Sequence, residues 1–299
     1  MAKTNKFKFL DNHNTIIPQF YESISINNKN ILNKQSEVED TLNRVLIVSL
    51  HPTYLETYIK NQSAYIHKKI KQIGPEGAGM LFDENYTVDS YLNKFTKRQL
   101  RKNLRRAISS LEQSFEICYE YNYGNITKEK CDSLTTSLFN MINMRFEEKK
   151  TKNLFIQNWE SNTKNLYNLI NQKKASLFVV YADKKPISIS LNRHFSNSIL
   201  YSESHSYDLD YSQFSLGHLD NYLLLKWCLE NNYDFLDLGM GAYDYKKKWC
   251  NTSYYFNYHM YYEKNSIWAR IIAQFEMLKM KTKNSIKSLL LIFKININE

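Results

Sequence analysis

The chain is poor in the residues that punctuate or staple a fold: 299 residues carry 7 glycines, 4 prolines and 4 cysteines. Cys118, Cys131, Cys228 and Cys250 form no CxxC, and no cysteine–histidine spacing suits a zinc site, so no metal is expected. Such usage points to free thiols in a reduced, cytoplasmic compartment. No apolar run reaches the ~18 residues a membrane-spanning helix needs. The N-terminal residues lack the apolar core of a signal peptide. No internal repeat or low-complexity tract is present.

What the chain has in quantity is aromatic and basic. It carries 23 tyrosines and 16 phenylalanines, which predicts an aromatic core. Its 40 Lys and Arg against 30 Asp and Glu give a formal charge of +10. That balance favours an anionic partner: a nucleotide-bearing cofactor, nucleic acid or a membrane surface. A lysine-rich solubilising surface is the plain alternative.

Residues 1–85 form an N-terminal α/β region of unassigned fold. Residues 7–10 suggest a short strand. Residues 37–50 have helical spacing through Val38, Leu42, Val45 and Leu46, ended by His51-Pro52. Residues 74–79 are the one Gly/Pro cluster and read as a turn, with a domain boundary soon after. Residues 88–113 read as one long helix capped by Asp89 or Ser90, with a basic face of Lys94, Lys97, Arg98, Arg101, Lys102, Arg105 and Arg106. A strand at 115–121 and helices at 128–148 and 155–171 follow. Strands at 176–181, 187–191 and 199–207 form an antiparallel meander. Then come a helix at 216–231, a strand at 233–238, a short helix at 243–249 and an aromatic strand at 254–262. Residues 263–299 are a basic helical tail, with peripheral membrane contact or packing on its own domain as the two readings.

Two junctions carry chemistry. In the first, residues 207–218 join a strand end to a helix start. Ser215 and Gly217 stand where unpaired N–H groups and the helix dipole attract a phosphate. A simple N-cap is the alternative. The second, residues 237–249, has Gly239-x-Gly241 after a strand. It lacks a third glycine and a following βαβ unit, so a dinucleotide fingerprint is rejected.

At these junctions the chain resembles the BioF2-like, FemAB-related branch of the GNAT superfamily. Asp237, Gly239, Gly241, Tyr245, Lys246 and Trp249 match the family's run in register. Tyr207-Asp208 with Ser215-Leu216-Gly217 is similar to its approach to the cofactor helix. The Arg101, Arg105 and Arg106 helix resembles the one that opens its domain, so the resemblance covers roughly residues 88–262. Ala242-Tyr243 stand where the family has an acidic pair, and Leu216 where it has proline. The resemblance implies an α+β, GNAT-like fold over residues 86–262: a mixed, largely antiparallel sheet flanked by helices. It also implies transfer of an acyl group from acyl-CoA, as co-substrate, to an amine of a small metabolite, sugar or cell-envelope precursor.

The implied cofactor-binding set is Phe214, Ser215, Leu216, Gly217, His218, Gly239 and Gly241. Such a reaction needs a base for the amine proton, a donor for the oxyanion and an acid for the thiolate. Glu203 and His205, two apart and so on one strand face, are the candidate bases. Glu203 pairing with a cation and His205 as a satisfied polar residue is the alternative. Tyr245 is the candidate acid, with core packing as its alternative. Lys246 either binds a phosphate or an acidic acceptor, or is one of three solvated lysines. Two other functions stay open: a FemAB-like transferase using aminoacyl-tRNA, and a non-catalytic GNAT-like binding module. No RNA motif with stacking aromatics accompanies the basic helix.

Overall fold

The computed structural model describes residues 4–9, 21–32, 45–148, 154–241 and 244–297. The chain forms two compact units. The first comprises Met1–Gly77, Met240–Ala242 and Ser253–Glu299, and the second Ala78–Gly239 and Tyr243–Thr252. The expected boundary after residue 85 therefore falls at Gly77, and the last strand and the tail group with the N-terminal region. Nothing in the local sequence forces that grouping, because it depends on pairing between distant strands.

In the first unit, β1 (Thr4–Lys8) pairs in parallel with β4 (Val45–Pro52). A small sheet combines β2 (Tyr21–Ile26), β3 (Lys29–Asn30) and β5 (Glu56–Ile59). Next comes β6 (Tyr65–Leu81), whose residues up to Gly77 belong here, and β12 (Thr252–Glu263) runs antiparallel to β4. Residues 45–50, expected as the end of a helix, are strand; 37–44 lie outside the described residues. A short apolar run such as Val45-Leu46-Ile47-Val48 fits a strand buried on both faces as well as a helix. Residues 74–79 are not a turn but part of β6. Gly77 is needed for contact, since a Cβ there would lie 2.1 Å from the Tyr254 ring.

The second unit begins with α1 (Val88–Phe95) and α2 (Arg98–Ser114), which replace the single expected helix. Thr87 caps α1 in a capping box with Ser90. The break comes at Thr96 and Lys97, both extended. Arg101 explains its stability: its guanidinium donates to Leu92 O at 3.0 Å and to Thr96 O, closing the end of α1. Arg101 is thus a joint, while Arg98, Lys102, Arg105 and Arg106 stay exposed.

β7 (Ile117–Asn122) and α3 (Lys128–Glu148) follow. Three short helices, α4 (Leu154–Gln157), α5 (Trp159–Thr163) and α6 (Leu166–Asn171), stand where one was expected. The meander is as read: β8 (Ala175–Ala182), β9 (Lys185–Phe195) and β10 (Ile199–Tyr207) are antiparallel, with β7 beside β8. After α7 (Leu216–Glu230), β11 (Phe235–Met240) lies parallel to β10. The short α8 (Asp244–Lys247) closes the unit.

Strand alternation divides the core. Leu177, Val179, Ile189 and Leu191 pack on Leu134, Leu138 and Ile142 of α3 and on Ile170 of α6. On the other face Phe178 and Leu200 pack with Leu224 and Trp227 of α7, and Val180 packs with Leu219 and Leu223. This mixed, largely antiparallel sheet between helices is the expected α+β class.

Candidate functional site

The site is set by where β10 and β11 stop pairing. Their parallel ladder joins Ile199 to Phe235, Leu200 to Leu236 and Tyr201 to Asp237, and goes no further. Just past it, β10 bulges against β9 between Ser202 and Ser204. A bulge bends its strand and raises its twist, and the parallel ladder does not continue along Ser202–Tyr207 and Leu238-Gly239. A 3-10 segment, Leu209–Phe214, links the end of β10 to the head of α7.

The bulge also corrects an expectation. Inserting one residue shifts the alternation by one, so Glu203 and His205 do not share a face. Glu203 accepts from Arg193 Nε at 2.6 Å, and Arg193 Nη2 donates to Asn162 O of α5 at 2.5 Å. His205 is on the α7 side, its Nε2 2.9 Å from Ser188 Oγ. Burial pulls the His205 pKa below its usual value, against the attraction of Asp220. Asp220, buried on the second turn of α7, has its carboxyl pushed up by burial, opposed by His205 and by a hydrogen bond with Ser190. Ser188, Ser190 and Asp220 were not picked out in the sequence. A buried acid three residues after Gly217 on an apolar helix was the available signal.

At the head of α7, Ser215 takes a left-handed conformation and its side chain makes no capping bond. The N–H groups of Leu216 and Gly217 have no partner within a helix by construction. Leu216 and Phe214 are buried core side chains, which leaves only their backbones available for contact from outside. A Cβ on Gly217 would meet only His205 Cε1, at 4.0 Å. His218 Nδ1 accepts from Trp249 Nε1 at 3.0 Å, which ties the helix head to the segment after β11.

That segment is built inward. Asp237, fully buried, accepts from the N–H of Gly239 at 2.7 Å, and Gly239 has φ +74°, favouring glycine. The Tyr201 ring lies against Gly239, where a Cβ would come within 3.2 Å of it. Lys246 is buried, and its Nζ donates to Gly239 O at 3.1 Å. Burial lowers its pKa, partly offset by Asp237. The run of three lysines is therefore not a uniform solvated face. Lys247 and Lys248 are exposed, whereas Lys246, Trp249 and Cys250 turn inward at helical spacing. Tyr245 is 45% exposed, which counts against its reading as core. Gly241 belongs to the first unit, where its N–H donates to Glu76 O at 2.8 Å. Ala242 and Tyr243 lie outside the described residues.

Residues 98–247, half of the chain, match the acetyltransferase (GNAT) domain family. The chain belongs to the GNAT acetyltransferase family. No curated protein matches it. Among solved structures, the GNAT chain is similar to FemX, with 13% identity and a TM-score of 0.49, over 77% of this chain and 74% of that one. It is also similar to a conserved protein of unknown function from Bacteroides thetaiotaomicron, with 9% identity, a TM-score of 0.45 and coverage of 73% and 70%. L-PGS from Bacillus licheniformis shows 13% identity, a TM-score of 0.40 and coverage of 76% and 71%. Within the GNAT domain the described residues hold no cluster of three or more side chains suited to a metal ion.

Proposed function

We propose that this GNAT chain transfers an acyl group from acyl-CoA to the amine of a small metabolite, sugar or cell-envelope precursor. The observation that carries this reading is the three-residue ladder between β10 and β11, opening beside the head of α7. An extended pantetheine arm fits a gap between parallel strands, where backbone groups outside the ladder can hydrogen-bond it. The pyrophosphate then meets the positive end of α7.

In the proposed step the amine nitrogen attacks the thioester carbon, the C–S bond breaks, and the CoA thiolate leaves. The amine proton passes to a base on the acceptor side; His205, held by Ser188 and 4.0 Å from the Gly217 Cβ position, stands at the phosphate end, a pantetheine arm away from the thioester. With its pKa lowered by burial, the His205 ring is neutral at pH 7 and offers the phosphates a hydrogen-bonding group, not a charge. Tyr245 supplies a proton to the thiolate. Glu203 is a positioning residue: its pairing with Arg193 fixes the bulge. His205→Gln is expected to raise KM for acyl-CoA about threefold with little change in kcat. A fall in kcat of about 100-fold with unchanged KM would place His205 at the thioester and the phosphate elsewhere.

Gly217→Ala tests the binding half. Gly217 has no strained φ and only His205 near its Cβ position. Alanine there is expected to stabilise the helix by about 0.5–1 kcal/mol. A methyl group on the phosphate approach is expected to weaken acetyl-CoA binding on the order of tenfold. Calorimetric titration beside a thermal melt checks both; unchanged affinity places the phosphate elsewhere.

A second reading, transfer from aminoacyl-tRNA, is favoured by the exposed Arg98, Lys102, Arg105 and Arg106 of α2. It predicts a salt-sensitive complex with charged tRNA and no stabilisation by acyl-CoA. A non-catalytic module predicts neither ligand bound.

A further inference from the structure

The C-terminal helix α9 (Ile267–Ile297) has two apolar faces, and only one is used. Ala269, Ala273 and Met280 are buried against Val45, Ile47, Tyr258 and Met260 of the first unit. On the same side, Asn284 donates to Lys71 O at 2.6 Å and accepts from Ile73 N–H at 3.2 Å. The other set, Ile267, Ile271, Phe275, Leu278, Ile286 and Leu289, recurs at spacings of three and four through Thr282. Each is at least 50% exposed. At about 100° per residue this stripe lies opposite the buried face, and it runs for roughly 35 Å.

Charge identifies the occupant. Glu276 is the one acid in 267–297, against six basic residues, and it is already paired with Lys6 and Lys279. Lys279, Lys283 and Lys287 line one edge of the stripe, forming a groove with Leu278, Thr282 and Ile286. Arg270 and Lys281 lie along the other edge. A second copy of the chain would set cationic rims against cationic rims, which opposes pairing. Apolar side chains rimmed by lysine and arginine suit an anionic lipid surface instead, with Trp268 exposed at one end. No described helix is long and apolar enough to cross a membrane.

We infer that α9 docks the protein in-plane on an anionic lipid bilayer, its outer stripe in the acyl boundary and its lysines at the headgroups. Neither the family nor the proposed reaction requires this surface.

The test is co-sedimentation of the full chain with vesicles of phosphatidylcholine alone or with ~30 mol% phosphatidylglycerol added. Binding is expected to the anionic vesicles only, and to fall with added salt. Phe275→Asp with Leu278→Asp, both at exposed positions, is expected to weaken binding by more than about tenfold. Lys281→Glu with Lys283→Glu is expected to cost at least about fivefold per site, which checks the charge contribution independently. Failure to bind anionic vesicles, or equal binding by the wild type and the Phe275/Leu278 variant, overturns the proposal. So does a concentration-dependent dimer in light scattering that the same variant abolishes, since a second copy then covers the stripe.

Discussion

Lowering the pH from 7 to about 4.5 is expected to unfold the first unit, before most carboxylates are protonated. The cause is a buried histidine cluster. His51 of β4 stacks on His259 of β12 with centroids 3.8 Å apart and an angle of 14°. His67 of β6 stacks on Tyr261 at 4.2 Å and lies 4.9 Å from His259. His51 has both nitrogens committed, Nδ1 to Pro52 O at 3.1 Å and Nε2 to Thr57 Oγ1 at 3.2 Å. Burial pushes the His51 pKa down to about 3, with nearby Lys69 and His67 adding to it. His67 falls to about 4 through burial and Lys69. Burial also lowers His259, and the other two rings and Lys69 add to that.

The sign follows from proton counting. The unfolded chain binds a proton at each ring below about pH 6.5, and the folded chain does not until far lower. Stability is therefore full above about pH 6.5 and falls as pH drops towards the folded values. Each fully buried ring costs about 1.4 kcal/mol per pH unit. His51 and His259 together cost about 5 kcal/mol by pH 4.5, the lower end of a typical domain's stability. Partly buried His67 adds less. Urea midpoints measured between pH 7 and 4.5 check this. His259→Phe, which keeps the stack without the proton site, is expected to reduce the slope by about one proton. A flat profile from pH 7 to 5 contradicts it.

Lys246→Met is expected to cost about 3 kcal/mol or more of stability, although its neighbours Lys247 and Lys248 are expected to tolerate alanine within about 0.5 kcal/mol. Removing the ammonium leaves the Asp237 carboxylate buried without its nearby cation and frees the Gly239 carbonyl. Asp237→Asn combined with Lys246→Met is expected to recover much of the loss, because a neutral amide keeps the bond from Gly239 N–H. Chemical denaturation of the four proteins of this cycle measures the coupling. A Lys246→Met protein of normal stability with weakened acyl-CoA affinity contradicts the account, since the ammonium then reaches the ligand.

Local signals were legible where one element supplies them. The α3 bounds followed from spacing, and the meander from alternation between polar turns. The segment from Asp237 to Trp249 was recognisable because its glycines and aromatic anchor are close in sequence. What escaped was set by distant pairing. The bulge at Glu203 depends on register with β9, so period-two counting placed Glu203 and His205 on one face. Asp220 meets His205 only after α7 folds back on the sheet. Lys246 looked like its two neighbours because nothing in a lysine triplet says which member turns inward. Gly77 read as a turn residue because the ring it accommodates, Tyr254, lies far along the chain.

The most direct test of the central claim is native mass spectrometry of the purified protein with acetyl-CoA and longer acyl-CoAs, in wild type and Gly217→Ala. The account predicts a one-to-one acyl-CoA complex that the variant forms about tenfold more weakly while staying folded. No complex with any acyl-CoA, together with a salt-sensitive complex with charged tRNA, would contradict it.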